Sequence, residues 1–384
     1  MTELNLSRGF LPPEDPLPQL PALFAEWEAV AQELSKLMLS DYIRPALASL
    51  PPFPTDKLQT ERELWRAMSM FCYMGSLYVL APAQPVATSL PRSLAVGWYE
   101  VATRIGMPPM LTYATQAMYN WRRINPEGPI EVGNLTLNQN FLGGLDEEWF
   151  VTLHIQIEAE AAPALQVLLP MQTAVSHHDI PTIETSLLTI AETLQTMTTT
   201  LRRMPERCDP YIYYHRVRPY MFGWKDNPDM PGGMVYEGVE AYKGQPQQFR
   251  GETGAQSGII PAFDAALGIV HEFDSMRAYL MEMRDYMPPK DRTFIEQLEN
   301  NSLSNGRSVR QFVEANKTSH PSLRDAYNEA IQQLHLFRQL HVEYAALYII
   351  KPAQGAKQGD VGTGGTPFTV YLKKHMRETV AHLI

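Results

Sequence analysis

The chain has 384 residues, of which 45% are apolar and 19% charged, and its formal net charge is −10 at pH 7. An acidic balance of this size argues against the basic face with which nucleic-acid binders and polybasic membrane-surface proteins meet phosphates. At about 150 residues per domain, the length predicts two to three domains, or one large domain with a smaller appendage.

Cysteine usage and the N-terminal segment indicate the compartment. Cys72 and Cys208 are too few for a disulfide framework or a thiolate zinc site, which favours a reducing environment. Residues 1–21 contain no basic stretch followed by an apolar one, and no apolar run approaches the ~18 residues that span a bilayer. We therefore expect a soluble, cytoplasmic protein that binds neither nucleic acid nor membranes.

The first third of the chain is predicted to be helical. After a proline-rich, acidic lead-in over 10–21, apolar residues recur at three- and four-residue spacing, which is typical of amphipathic helices. The pattern predicts helices over 23–47, 60–80, 93–105 and 108–121. Glycines and prolines then break the rhythm over 125–144. We place a domain boundary at about residue 141, which gives domains 1–141 and 142–384.

The remainder of the chain returns to helical periodicity. It resumes at Glu147 and runs toward residue 169, with a disturbance at Pro163. Further helices are predicted over 182–203, 210–218, 254–269, 275–285, 290–302 and 321–350, and from Phe368 to the end. Residues 352–367 are rich in glycine and predict a mobile loop. The predicted fold is mainly α, with a large all-helical domain and a smaller, α-rich N-terminal domain.

Common catalytic motifs are absent from the sequence. It contains no GxxxxGK[ST], HExxH, GxSxG or CxxC, and its glycines at 362, 364 and 365 do not match a dinucleotide fingerprint. His177-His178-Asp179 is a weak metal candidate, because adjacent side chains diverge on any regular element. The motif scan thus excludes the usual hydrolase, NTPase and zinc signatures.

The predicted 321–350 helix carries two histidines on different faces. At 100° per residue, His341 shares an apolar stripe with Leu334, Phe337, Ala345 and Tyr348, whereas His335 lies about 120° away and is predicted at the surface. A histidine on an apolar stripe is usually a hydrogen-bonded core residue. The alternative is an axial ligand to haem iron, with the small Ala345 leaving room for a flat macrocycle. Periodicity alone leaves both readings open.

Several long motifs, in order along nearly the whole chain, resemble the indoleamine 2,3-dioxygenase family. They are LPRSLAV (90–96), PPMLTYATQAMYNW (108–121), GWKDNPDMPGGMVYEGV (223–239), MRDYMPP (283–289), FRQLHVEY around His341 and GTGGT (362–366). The resemblance implies a haem enzyme that inserts both atoms of O2 across the indole C2–C3 bond of L-tryptophan. The product, N-formylkynurenine, begins the kynurenine pathway. An electron donor would keep the haem ferrous.

The resemblance also implies roles for three residues on the proximal side of haem b. His341 matches the proximal iron ligand. Asp264 matches the acid that supports this ligand through hydrogen bonds, and Arg338 matches an arginine near a haem propionate.

The resemblance implies a second group of residues around the substrate. Tyr113 and Phe150 match residues that enclose the indole, and Tyr213 and Tyr214 match a pair of aromatic residues over it. Arg218 matches the arginine that binds the substrate carboxylate. Thr253 and Gly254 match a short loop beside the haem edge, and Thr366 matches the mobile-loop threonine that closes over the amino acid. Without the resemblance, a salt bridge would be the expected role of Arg218, and the glycine-rich loop would equally well be a linker.

Two positions depart from the family pattern. His154 lies one helical turn after Phe150, where the family commonly has serine, and Tyr213 replaces what is often phenylalanine. His154 is either a core histidine or a distal residue like that of the related tryptophan 2,3-dioxygenases. In the distal position it would hydrogen-bond the indole N–H or the bound oxygen, and with Arg218 it would act in catalysis.

Three alternatives remain open at this stage. The first is a haem oxygenase of the same superfamily that acts on another indole or aromatic amino acid. The second is a haem-binding sensor or carrier without turnover, which would have no need of a carboxylate-binding arginine such as Arg218. The third is a helical scaffold without a cofactor.

Overall fold

The computed structural model describes residues 4–82, 84–304, 307–353, 362–364 and 369–384, and it is mainly α-helical. The described part before residue 141 contains four short strands and five helices. The strands are β1 (Ser7–Phe10), β2 (Ser89–Leu90), β3 (Trp121–Arg123) and β4 (Leu135–Leu137). The helices are α1 (Ala25–Gln32), α2 (Leu34–Leu37), α3 (Ile43–Ala48), α4 (Glu61–Val79) and α5 (Arg92–Ile105).

The described part after residue 141 is mainly helical, apart from residues 222–258, which contain one short strand and two 3-10 turns. Its helices are α6 (Leu145–Glu160), α7 (Ala162–His177), α8 (Ile180–Leu201), α9 (Pro210–Ile212), α10 (Ile259–Leu267), α11 (Ser275–Met283), α12 (Pro289–Ser304), α13 (Val309–Asn316), α14 (Pro321–Ala345), α15 (Lys351–Ala353) and α16 (Thr369–Val380). The fifth strand, β5 (Val235–Tyr236), pairs in parallel with β2, and β3 pairs antiparallel with β4. The predicted mainly α fold is confirmed.

Helix α14 is the longest and lies against α8, α13 and α16. Its Leu323, Tyr327, Ile331 and Leu334 are completely buried, which is the apolar stripe expected of a core helix. Helix α6 packs against α8 as well. Thus α6 and α14 flank the same helix, and this arrangement positions the site described below. None of the described helices is long and apolar enough to cross a membrane.

The predicted helix over 60–80 is confirmed by α4, which has a clear start signal. The Thr60 side chain accepts a hydrogen bond from the Glu63 amide, while Glu63 accepts one from the Thr60 amide, so the two form a capping box. The prediction over 93–105 is confirmed by α5. The disturbance at Pro163 is also confirmed, because α6 ends at Glu160 and α7 restarts with Pro163 in its first turn.

Two N-terminal predictions were wrong. The single helix over 23–47 is broken into α1, α2 and α3. Pro45 lies in the first turn of α3, where backbone N–H groups have no acceptor within the helix, so the N–H that proline lacks is not needed there. The helix over 108–121 is only a π-helical turn, Ala114–Met118, followed by β3.

Two features of the C-terminal part also differ from the prediction. Helix α13 was not predicted. His335, which was predicted at the surface, is half-buried, and its Nδ1 lies 3.1 Å from the Met376 carbonyl of α16.

The predicted boundary at residue 141 lies between β4 and α6. Phe141 itself is completely buried, and its ring centroid lies 4.3 Å from that of Tyr73 and 5.4 Å from that of Tyr220. One hydrophobic core contains residues from both sides of the boundary. The chain at residue 141 is therefore core rather than exposed linker, and the division into two domains remains a prediction.

Candidate active site

A cavity of about 1110 Å³ lies among α6, α8, α14 and the loop before α10. Three π-helical turns border it: Ala114–Met118, Tyr213–Val217 and Ala346–Ile350, which bring Ala117, Tyr213 and Tyr348 to the wall. Such turns re-aim side chains and often accompany functional sites. The volume exceeds the usual 300–1,000 Å³ of small-ligand pockets, so a large cofactor and a substrate could both fit.

One face of α6 lines the cavity. Phe150, His154, Ile157 and Glu158 recur at three- and four-residue spacing, so their side chains share a helical face. The ring centroids of Phe150 and His154 lie 4.6 Å apart, and those of Phe150 and Tyr213 also lie 4.6 Å apart. Tyr113, whose amide donates to Gln256 Oε1 at 2.9 Å, lies edge-on to His154 at 6.1 Å. The structure brings Tyr113, Phe150, His154 and Tyr213 together.

His154 presents one defined nitrogen to the cavity. Its Nδ1 lies 2.7 Å from the carbonyl oxygen of Phe150, which can only accept, so the ring hydrogen is on Nδ1. Burial lowers the pKa of His154, although the hydrogen bond to Phe150 opposes the shift. A neutral ring with Nδ1–H has a free lone pair on Nε2. His154 can therefore accept a hydrogen bond from a ligand in the cavity.

The apolar stripe of α14 meets the same cavity. Phe337, His341, Ala345 and Tyr348 all line it, as the stripe predicts. The imidazole of His341 is exposed, and it lines the cavity. No described residue forms a hydrogen bond with it. Burial lowers the pKa of His341 to about 4, with a smaller contribution from His154, so its ring is neutral at pH 7.

Asp264 and Arg338 form an ion pair beside His341. Arg338 Nη2 donates to Asp264 Oδ2 at 2.6 Å and also bonds the hydroxyl of Thr379. Although burial opposes the shift, Arg338 and His271 hold the pKa of Asp264 below its ordinary value. No hydrogen bond between described residues joins Asp264 directly to His341. The predicted support of His341 by Asp264 thus lacks a direct contact and stays a prediction.

A second histidine group lies next to this ion pair. His271, His375 and Glu378 each place one potential ligand atom within 4.8 Å of the others, so the group could hold a metal ion. Both nitrogens of His271 already face carboxylates, Nδ1 at 2.6 Å from Glu378 and Nε2 at 3.1 Å from Asp264. His341 and His271 both line the cavity, and of the two only His341 has no hydrogen bond to another described residue.

Arg218 lies in a wholly buried position at the cavity wall. Its guanidinium carbon lies 5.1 Å from the ring centroid of Tyr214 and 4.8 Å from that of Phe222. Burial lowers the pKa of Arg218, but an arginine remains cationic at neutral pH. Tyr213 lines the cavity, whereas Tyr214 does not and lies instead against Arg218. The predicted contact of Tyr214 with substrate stays a prediction.

The loop before α10 brings Glu252, Thr253 and Gly254 to the cavity. The Thr253 hydroxyl accepts from the Ala255 amide and caps a short helical turn, Gly254–Gln256. The Thr363 hydroxyl donates to the Glu252 carbonyl, and the Gly223 amide donates to the Thr363 carbonyl at 3.4 Å. Residues 362–364 therefore close against this loop. Thr366, the last predicted site residue, lies outside the described residues.

Two buried acids at the cavity were missed by the sequence reasoning. Glu158 accepts a hydrogen bond from Ser257 at 2.7 Å, and burial raises its pKa to about 7. Glu252 is 5% exposed, and burial raises its pKa to about 8. The spacing of Glu158, four residues after His154, was a usable signal. Glu252 adjoins the predicted Thr253, but its burial could not be read from the sequence.

Comparison with known proteins identifies the family. A family model described as indoleamine 2,3-dioxygenase matches residues 3–382. Indoleamine 2,3-dioxygenase 1 of Rattus norvegicus is 33% identical over 95% of this chain and 90% of its own length. Indoleamine 2,3-dioxygenase of Saccharomyces cerevisiae is 29% identical over 97% and 91%, and a 6-hydroxytryptophan 2,3-dioxygenase of Fusarium equiseti is 30% identical over 96% and 94%. The chain therefore belongs to the indoleamine 2,3-dioxygenase family and is an oxidoreductase, a haem-dependent dioxygenase of indoles.

Proposed function

We propose that this protein adds both atoms of O2 across the indole C2–C3 bond of L-tryptophan to give N-formylkynurenine, using haem b ligated by His341. The observation that carries the proposal is that one cavity contains both a neutral imidazole facing open space, His341, and a buried cation, Arg218. The imidazole suits an iron ligand and the cation suits a carboxylate. The family membership supports the same reaction class.

The residues present fit a haem. His341 has no hydrogen bond to another described residue, and Ala345, one turn along the same stripe, adds little bulk beside it. Arg338 lies in the cavity wall and can pair with a propionate while it keeps its contact with Asp264. When bound, the haem supplies the activation of O2. The division into domains 1–141 and 142–384, with the first covering the distal side, belongs to this proposal.

The residues around the substrate orient it and exclude water. Phe150, Tyr113 and Tyr213 enclose the indole, and Arg218 holds the carboxylate, so the reacting carbon is fixed in position. His154 accepts the indole N–H at Nε2, since its Nδ1 hydrogen is bonded to Phe150. Thr253 and Gly254 form the short loop beside the haem edge, and Thr366 belongs to the loop that closes over the amino acid. An external electron donor keeps the iron ferrous.

A second candidate substrate is an indole amino acid other than tryptophan. The relative from Fusarium equiseti is named for 6-hydroxytryptophan. Here the hydroxyl of Tyr213 and the imidazole of His154 make the wall beside the indole more polar than hydrocarbon alone.

The test is turnover by reduced, haem-loaded protein supplied with L-tryptophan and ¹⁸O₂. We expect a product that is heavier than tryptophan by two ¹⁸O atoms and that absorbs as N-formylkynurenine. Incorporation of only one ¹⁸O atom would mean that the protein is a monooxygenase and not a dioxygenase. Turnover of 6-hydroxytryptophan but not of tryptophan would favour the second candidate. A haem-loaded protein that consumes neither substrate would be a haem binder without this activity.

A further inference from the structure

The side chain of Glu252 ends in a buried carboxyl group at the wall of the cavity. It is 5% exposed, and no described residue donates a hydrogen bond to it or pairs with its charge. Two other buried acids are satisfied: Glu28 forms a bidentate pair with Arg66, and Glu147 accepts three backbone N–H groups. Because burial without a partner penalises the ionised form of a carboxyl, a cation placed beside Glu252 would stabilise that form, and the described residues supply none.

The backbone holds Glu252 close to the segment that carries Arg218. The Glu252 amide donates to the Met221 carbonyl at 3.1 Å, three residues beyond Arg218. A Cβ at Gly251 would lie 2.3 Å from the Met221 carbonyl oxygen and 2.4 Å from the Gly223 amide nitrogen, so only glycine permits this approach. The two chain segments are therefore locked side by side at the cavity wall.

Glu252 and Arg218 both affect the pKa of Tyr213, which lines the same cavity. Burial raises the pKa of its phenol; the charge on Glu252 raises it further, and that on Arg218 opposes the shift. The cavity wall thus holds a cation, Arg218, an aromatic ring, Tyr213, and an acid, Glu252, whose raised pKa of about 8 leaves it mostly protonated at pH 7 until a cation binds beside it. This arrangement matches a zwitterion with an aromatic side chain, because the carboxylate of the ligand meets Arg218 and its ammonium group favours the ionised form of Glu252.

We propose that Glu252 binds the α-ammonium group of the substrate, so that Glu252 and Arg218 together select a zwitterionic amino acid over indoles that lack the ammonium. The inference rests on the proposed function and extends it from the indole to the amino-acid part of the substrate. A bound zwitterion places its ammonium group at Glu252 and its carboxylate at Arg218. An indole that carries only a carboxylate gives Glu252 no cation, and one that carries only an ammonium gives Arg218 no ligand carboxylate.

Three ligands distinguish binding of the ammonium group from binding of the carboxylate. L-Tryptophan carries both groups, tryptamine carries only the ammonium, and indole-3-propionate carries only the carboxylate. Their dissociation constants are measured on the ferric holoenzyme from changes in the Soret band. The variants are Glu252→Gln, which keeps the shape of the side chain, and Glu192→Gln, which removes the same charge from an exposed position on α8. Haem content and thermal unfolding confirm that each variant is folded.

We expect Glu252→Gln to weaken L-tryptophan and tryptamine about 10- to 100-fold, the range for loss of a charged hydrogen bond, and to change indole-3-propionate by less than about twofold. Glu192→Gln should change none of them. Equal weakening of all three ligands, or of none, would overturn the inference and leave the dioxygenase proposal intact.

The wild-type holoenzyme provides a check that needs no variant. It should bind L-tryptophan at least about tenfold more tightly than indole-3-propionate, and equal affinities would overturn the role of Glu252 even if the variant failed to fold. A wild-type holoenzyme that neither binds nor oxidises L-tryptophan would overturn the inference and the proposed function together.

Discussion

His154 donates its Nδ1 hydrogen to the carbonyl oxygen of Phe150 at 2.7 Å, one turn back on the same helix. This bond fixes both the tautomer and the orientation of the ring. It leaves Nε2 as an acceptor at the wall of the cavity, where burial keeps the ring neutral. A histidine that would otherwise be read as a satisfied core residue thus retains one nitrogen for a ligand.

The first prediction concerns this nitrogen. His154→Ala should lower kcat/KM for L-tryptophan about 10- to 100-fold, because the indole N–H loses its acceptor, while haem content stays unchanged. The substrate 1-methyl-L-tryptophan has no indole N–H, so the variant should handle it nearly as well as the wild type does. The matched control is His177→Ala, at an exposed position near the end of α7, which should leave both substrates unaffected. An equal loss with both substrates would contradict an acceptor role.

The second prediction concerns the other histidine of the cavity. His341→Ala should abolish tight haem binding, because its imidazole is the one on α14 that faces the cavity without a hydrogen bond to another described residue. The Soret band and extracted haem give the measurement. His335→Ala removes a histidine from the same helix, at a position that contacts Met376 instead, and should retain haem. A His341→Ala protein with an unchanged Soret band would refute the proximal assignment and direct attention to His271.

The cavity-lining face of α14 could be predicted from the sequence, whereas the position of Glu252 could not. The stripe of Phe337, His341 and Ala345 is a periodic pattern within one helix, so the face that lines the cavity follows from geometry at 100° per residue. The position of Glu252 depends instead on a backbone approach between segments thirty residues apart. No local periodicity encodes such an approach, and the burial of Glu252 could not be predicted.

The same contrast applies to secondary structure. Helix α4 was predictable because its capping box and its amphipathic pattern agree. The segment over 108–121 also has apolar residues at helical spacing, but it folds as a π-helical turn and a three-residue strand. Trp121 pairs with Leu137 in that strand, and the Tyr113 amide bonds the Gln256 side chain. These distant contacts override the local helical preference.

The third prediction is a pH dependence of stability in the haem-free chain. Burial raises the pKa of Glu252 from 4.5 to about 8, so its carboxyl favours folding below the unfolded pKa, and this contribution is lost as the pH rises toward 8. Carboxyls with lowered pKa values, such as Asp264 and Glu282, contribute fully above their unfolded pKa and are constant in this range. Glu252 should therefore make the free energy of unfolding fall as the pH rises from 5 to 8. The fall should be clearest above pH 7, because the lowered pKa values of His154, His341 and His375 act in the opposite direction below about pH 6.5.

Glu252→Gln should remove part of that fall, about 1–3 kcal/mol, because the amide does not ionise. Urea unfolding at pH 5, 6, 7 and 8 gives the measurement. Glu147 and Glu158, whose pKa values are raised to about 7, should account for much of the remaining slope. If the variant and the wild type fall in parallel, the Glu252 carboxyl is not buried as described.

The last prediction tests the backbone approach that places Glu252. A methyl group at Gly251 would lie 2.3 Å from the Met221 carbonyl oxygen, and the backbone there cannot yield without breaking the bond from the Glu252 amide to Met221. Gly251→Ala should therefore lower the free energy of unfolding by about 1–3 kcal/mol. Gly254→Ala, three residues along the same loop, has no atom within 4 Å of the added carbon and should cost less than about 1 kcal/mol. Urea unfolding of both variants checks the difference. Since the approach positions both charged groups at the cavity wall, any folded Gly251→Ala protein should also bind L-tryptophan more weakly, and equal stability of the two variants would mean that the segments are not in contact.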